Sequence, residues 1–216
     1  MVGDRLIFTS LHYTKAKLIL PEFLKFYKGK SKVILAIGAI SGVGKSEVAA
    51  LVQEYLFYQA NLHIKIIHID DFYSTFWGNR NEVRRKTKII GKEEISWDKI
   101  NKIFSDFRAG KRKLYIQRIH KFLNSIEYSI SSGRNIDILI IEGLYACYAD
   151  ADYRVYLDGT TSDTYQFRKG RGKENPDNKF RKFVVEREAA CVRQSKKYAD
   201  LIIPWECEAD EKTFQK

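Results

Sequence analysis

"AIGAISGVGKSEVAALV", residues 36–52, is close to the phosphate-binding pattern G-x-x-x-x-G-K-[ST] but has one glycine out of place. Counting back from Gly44-Lys45-Ser46, the first glycine belongs at position 39, where Ala39 stands, and Gly38 comes one residue early. The context suits the pattern, which needs a strand before it and a helix after it. "KVILAI" (32–37) is a continuous apolar run, as in a strand buried on both faces. "KSEVAALVQEYLFYQA" carries Val48, Leu51, Val52, Tyr55 and Leu56 at helical spacing. Gly42 and Gly44 let backbone N–H groups turn inward around phosphate oxygens, and the helix N-terminus adds partial positive charge. The expected cradle is therefore Gly42, Val43, Gly44, Lys45, Ser46 and Glu47. Ala39 is tolerated there at little cost if its φ is negative.

Downstream, the alternation continues. "IKIIHI" (64–69), "IDILII" (136–141), "YRVYL" (153–157) and "DLIIP" (200–204) read as strands. Ser96 is placed to cap a helix over "WDKINKIFSDFRA", which Gly110 closes. "NKFRKFVVEREAACVRQSKKYA" (178–199) reads as a long helix. Strands alternating with helices imply an α/β fold, a doubly wound parallel sheet with helices on both faces. Ligands in such sheets bind beyond the carboxyl ends of the strands. Residues 1–31 read as an N-terminal extension in which Pro21 opens a short helix, 22–28, ending at Gly29. Residues 32–216 form the main domain.

The composition excludes several classes. No stretch approaches the length needed to span a bilayer, and Leu6–Phe8 is too short for a signal-peptide core, so a cytoplasmic protein without membrane partners is expected. Cys147, Cys191 and Cys207 include no C-x-x-C pair, and the four histidines lack metal-ligand spacing. The net charge of +11 fits polyanions of any kind without choosing among them. Its densest run, Arg84-Arg85-Lys86-Thr87-Lys88, lacks interleaved aromatics for base stacking and reads equally as a solvated basic loop or a functional patch. Nucleic acid is therefore not the expected partner, and a homo-oligomer is left open.

The strand ends carry the chemistry. Lys45 is placed for the β- and γ-phosphates and Ser46 for Mg²⁺. Guanine-selecting N-K-x-D is absent: Asn101-Lys102 and Asn178-Lys179 are followed by the wrong residues. Motor-type adjacent acids are absent too, since the third strand ends in Glu142-Gly143. "HIDDFY" (68–73) places a carboxylate where it can take the proton of an attacking hydroxyl. Asp70 and Asp71 both qualify, and alternation along an extended strand end favours Asp70. "IIEGLYA" (140–146) puts Glu142 beside the cradle as a Mg²⁺ ligand. "FRKGRGK" (167–173) is a glycine-punctuated basic loop suited to closing over ATP.

In this order (cradle, D-x-F-Y, E-G, basic lid, "KKYADLIIP") the pieces resemble the uridine kinase and phosphoribulokinase-like group of P-loop kinases from Lys32 to about Trp205. The resemblance implies a P-loop NTPase fold of the nucleotide-kinase type, with ATP and Mg²⁺ as cofactors. It further implies Asp70 as catalytic base, Tyr73 as an aromatic on the acceptor, Lys45 and Ser46 in the cradle, and Glu142 on the metal side. Lid arginines match Arg168 and Arg171, in a lid near 164–176 that is shorter than in uridine kinases.

The chain departs from the family at the acceptor. Uridine kinases carry an F-D-H-P-like segment whose aspartate binds the ribose. Here the stretch is "GKEEISWD" (91–98), and Lys92 falls near the aspartate's place. An ammonium cannot accept from a ribose diol but can hold a phosphate or carboxylate. Arg80, Arg84, Arg85, Lys86 and Lys88 lie in the neighbouring segment. Tyr115, Arg118 and His120 fall where the family places acceptor contacts. Three readings follow: a kinase of a nucleoside such as uridine or cytidine; a kinase of an already anionic metabolite (phosphosugar, phosphoglycerate or mevalonate phosphate); and, from a different class, a nucleic-acid-binding P-loop ATPase.

Overall fold

The computed structural model describes residues 6–120, 123–170 and 178–207. Seven strands and six helices follow one another: α1 (Ser10–Tyr27), β1 (Val33–Gly38), α2 (Lys45–Ala60), β2 (Ile64–His68), α3 (Trp77–Thr87), α4 (Trp97–Arg108), β3 (Leu114–His120), β4 (Ser125–Ser131), β5 (Ile138–Gly143), β6 (Tyr153–Leu157), α5 (Tyr165–Gly170), α6 (Lys179–Gln194) and β7 (Leu201–Ile203). Five strands form one parallel sheet in the order β2-β5-β1-β6-β7, and β3 and β4 form a separate antiparallel hairpin. Every residue of β1 and β5 is buried, which requires cover on both faces and accounts for their unbroken apolar runs. The expected doubly wound α/β class holds.

Three elements differ from the sequence reading. The N-terminal segment is not a short helix opened by Pro21 but an 18-residue helix with Pro21 inside it. A mid-helix proline costs about 3 kcal/mol. Ala16, Ile19, Leu20 and Phe23, at helical spacing and 0–2% exposed, offset that cost by docking α1 on α2 and the sheet. Lys28 then closes the helix in the left-handed conformation.

The basic segment is not a loop but α3. Apolar periodicity misses it, because its buried face is made of Arg80 and Arg84, 6% and 3% exposed and four residues apart. Arg84 donates to both oxygens of Glu94 at 2.6 and 2.8 Å and to Glu188 at 2.8 Å. Burial alone would lower its pKa, but the two bonded carboxylates carry it well above the ordinary value. Arg85 stacks over Phe180 at 4.2 Å and Lys86 pairs with Glu82 at 2.6 Å. Of the basic run only Arg84 is thus spent inside the protein; Arg85, Lys86 and Lys88 stay exposed on the surface. Removing one partner of a buried pair strands the other's charge, so Arg84→Ala should lower the unfolding free energy by about 3–5 kcal/mol. A urea titration reads this directly; a loss below about 1 kcal/mol would mean that the Glu94–Arg84–Glu188 link does not hold α3 to α6.

The third difference is the β3–β4 hairpin, absent from the strands read in the sequence. It is bonded to the turn that follows β2: Ile119 N donates to Asp71 Oδ1 at 3.1 Å and Gln117 Nε2 to the Asp71 carbonyl at 2.5 Å.

Candidate active site

The displaced glycine has a packing reason. Gly38 ends β1, and a Cβ there would stand 2.6 Å from Cys147 Sγ and 3.2 Å from the Cys147 amide nitrogen. Ala39 is fully buried and is not among the residues with positive φ, so it needs no glycine. Gly42 and Gly44 do: their φ angles are 93° and 94°. Both are also crowded. A Cβ on Gly42 would meet Thr164 and Arg168 at 2.9 and 3.0 Å, and one on Gly44 would stand inside the His12 ring. Gly44 caps α2, so the turn delivers the chain to the helix N-terminus, where free amides and the helix dipole favour an anion. Val43 and Glu47 are buried in the loop and first turn, and Lys45 Nζ donates to the Ile40 carbonyl at 3.1 Å.

Beside the cradle lies a three-residue cluster. β5 sits between β1 and β2, with Glu142 in register with Ile37 on one side and His68 on the other. Ser46 Oγ donates to Glu142 Oε1 at 3.1 Å, and His68 Nδ1 lies 2.5 Å from the same oxygen. An ionised carboxylate only accepts, so the ring nitrogen donates. Burial of Glu142 would raise its pKa, but the His68 hydrogen bond, the charges of His68 and Lys45, and the Ser46 bond together hold it below the usual carboxylate range. A carboxylate kept anionic next to a hydroxyl is a hard-oxygen pair that fits Mg²⁺, and Ser46 and Glu142 are the residues that would hold it. Among the described residues no group of three or more His, Cys, Asp or Glu makes an all-protein metal site. Mg²⁺ usually takes few protein ligands together with phosphate oxygens and water. His68 was not foreseen; its partner is 74 residues away.

The two candidate bases have different surroundings. Residues Ile69–Phe72 form a 3₁₀ turn rather than an extended strand end, so simple alternation does not apply. Asp71 is turned inward, 1% exposed, with Oδ1 accepting from Ile119 N and Oδ2 3.8 Å from Arg118 Nη1. Burial pushes its carboxyl up. Asp70 stays half-buried in the same turn. Tyr73 follows, 5% exposed and bridged to Ile95, with burial raising its phenol. The Arg80 guanidinium lies 3.4 Å from the Tyr73 ring centroid. Among the described residues it makes one long hydrogen bond, 3.4 Å, to the Thr75 carbonyl, and its buried Nε has no hydrogen-bond partner.

The other predicted residues scatter. Lys92 Nζ lies 4.7 Å over Tyr148, so the structure groups it with Tyr148 and not with Arg80 and Tyr73. His120 faces Glu127 across the hairpin, its Nε2 3.8 Å from Glu127 Oε1, while Tyr115 is exposed. Arg168, on α5, packs its Cγ toward Gly42 and donates to the Thr161 carbonyl at 2.7 Å. Burial, with the Arg181 charge second, lowers its pKa. Arg171 lies outside the described residues.

Residues 34–210 match the model of the phosphoribulokinase/uridine kinase family. Among curated relatives, uridine-cytidine kinase B of Dictyostelium discoideum is 25% identical over 81% of this chain and 76% of its own length. A bifunctional α-galactosidase/sucrose kinase of Mediterraneibacter gnavus is also 25% identical over 81% of this chain, which spans only 20% of that protein. A pantothenate kinase of Listeria monocytogenes is 25% identical over 66% of this chain and 50% of its own length. Among solved structures, D-glycerate 3-kinase of Cryptococcus neoformans superposes with a TM-score of 0.60 at 12% identity, covering 94% of this chain and 98% of that one. Phosphoribulokinase of Rhodobacter spheroides gives 0.59 at 12% identity over 81% and 71%. At such identities the structural likeness shows the fold, and the relatives named are small-molecule kinases. The family match begins at the cradle's own strand and runs past β7, and the chain belongs to the phosphoribulokinase/uridine kinase family.

Proposed function

We propose that this protein is an ATP-dependent kinase that transfers the γ-phosphoryl group to a hydroxyl of a small metabolite. One observation carries the reading. The Asp70 turn and the Lys45 cradle leave the same end of the sheet, on strands separated only by β5, with the anionic Glu142 between them. An acceptor hydroxyl beside Asp70 can then face a γ-phosphate seated in the cradle. Asp70 takes the hydroxyl proton as oxygen attacks phosphorus, the bond to the β,γ-bridging oxygen breaks, and ADP leaves. Lys45 and Arg168 offset charge on the transferring group, and Mg²⁺, when bound, would neutralise the phosphate oxygens. Val43, Glu47 and the loop backbone shape the cradle. Arg171 is proposed with Arg168 as a lid cation.

Arg80 favours the anionic-acceptor reading over the nucleoside one. A buried guanidinium is costly without a carboxylate, and among the described residues none pairs with it. It stacks on Tyr73, three residues from Asp70, where an acceptor's phosphate or carboxylate would complete it. The anion site proposed is therefore Arg80 with Tyr73. Lys92, Arg118 and His120 are proposed only for its outer wall. With Arg84 taken up by Glu94 and Glu188 and no aromatics interleaved in the run for base stacking, a nucleic-acid partner has little support.

The test is an ATP-consumption screen of uridine, cytidine and phosphorylated or carboxylated hydroxy metabolites, run with the wild type and Arg80→Met. The expected result is preference for an anion, with its KM raised roughly 10- to 100-fold by Arg80→Met and the KM for ATP little changed. Turnover of the neutral nucleosides alone, with Arg80→Met silent, would return the acceptor to a nucleoside.

A further inference from the structure

The β3–β4 hairpin leaves one edge of β4 open. Among the described residues β4 pairs with β3 and with no other strand. Natural edge strands are commonly protected by lysine, proline or brevity. β4 has neither residue type in seven positions, Ser-Ile-Glu-Tyr-Ser-Ile-Ser. Its large side chains are also open to solvent: Ile126 is 40% exposed, Tyr128 58% and Ile130 59%. Directly opposed residues of an antiparallel pair share a face. The register Tyr115↔Ile130, Gln117↔Tyr128, Ile119↔Ile126 therefore puts Ile126, Tyr128 and Ile130 on one face with Tyr115 and the buried Gln117 and Ile119. The other face carries Ser125, Glu127, Ser129 and Ser131 of β4 with Leu114, Ile116, Arg118 and His120 of β3, of which Leu114 and Ile116 are buried in the core.

The strand is nearly the same read from either end. About Tyr128, the isoleucines at 126 and 130 and the serines at 125 and 131 are equidistant. We propose that the open edge of β4 takes a second copy of this chain, strand against strand and antiparallel, across a two-fold axis at Tyr128. In that register each Ile126 lies opposite Ile130 of the second copy and Tyr128 lies opposite its own equivalent. The single charge of the strand, Glu127, meets Ser129, so no like charges oppose one another. The two hairpins then form one four-stranded sheet in which the isoleucines and tyrosines of the paired β4 strands share one face and their serines and Glu127 the other. A slip of one residue in pairing would set the isoleucines and tyrosine against the polar face. This self-complementarity selects a second copy rather than an unrelated strand, which would not need the symmetry. Because the hairpin is bonded to Asp71, the pairing would also steady the turn that carries Asp70 in each copy.

The test uses the full chain. Light scattering across roughly 1–100 µM, the range in which a small interface associates, should show a species of twice the 25.2 kDa chain mass. Tyr128→Lys sets two ammonium groups face to face on the axis and should give a monomer. Its melting temperature should match the wild type's at the dilute end, where both are monomers, because the side chain is exposed. Oxidation of Tyr128→Cys should link two chains, since the axis brings the two positions together. Ile130→Cys, on the same face and just as exposed, should link no more than the wild type, because its equivalents stand about 13 Å apart. A wild type that stays monomeric throughout, a dimer that survives Tyr128→Lys, or equal linking at 128 and 130 would each overturn the proposal.

Discussion

Lys45→Ala is expected to abolish nearly all phosphoryl transfer, with kcat/KM falling by at least ~10³-fold. The ammonium sits at the N-terminus of α2, one residue after the left-handed Gly44, where the backbone turn aims the side chain along the loop. In the reaction it would offset charge gathering on the γ-phosphoryl oxygens from within the cradle, with Arg168 proposed to add to it from outside. The side chain is only half-buried, so the fold should tolerate its loss, and a thermal melt separates that from inactivation. A variant with near-normal turnover would sink the cradle assignment, and with it the direction of transfer proposed here.

Asp70→Asn should lower kcat by at least ~10²-fold while ATP binding changes little. The amide keeps the size and a hydrogen-bonding oxygen but cannot take the acceptor's proton. Asp71→Asn is the informative companion. Asp71 is engaged with the backbone of β3, and its buried carboxyl is already pushed toward the neutral form. Its amide should keep the Ile119 bond and much of the activity. If Asp71→Asn proves the more damaging change to kcat at unchanged stability, the base is one residue further along than assigned.

How much of the site was legible depended on how local its cause is. The cradle was readable because its geometry comes from consecutive residues: an apolar strand, two glycines that accept positive φ, and a helix. Even so, the reason for Gly38 was not readable, because its neighbour Cys147 lies on the far side of β5 in the chain. The preference for Asp70 over Asp71 was stated from sequence on strand alternation. The structure replaces that with a different support, a turn in which Asp71 is drawn inward by the hairpin. Lys92 was chosen because it stood in place of an acceptor contact of the family. The structure turns its ammonium toward Tyr148 and leaves Arg80, named in the same group, buried with no carboxylate partner among the described residues.

By itself the sequence determined the class of fold, the succession of the main parallel strands along the chain and the position of the phosphate loop. Strands buried on both faces must be continuously apolar, and a tight turn into a helix must carry glycine where φ is positive. Only the tertiary structure decided which charges are spent and which are available. Arg84 meets Glu188 across 104 positions, His68 meets Glu142 across 74, and Asp71 meets Ile119 across 48. A charged side chain reads the same in sequence whether it faces water or a buried carboxylate. Desolvation and pairing, which set its role, exist only once distant strands and helices have been brought together.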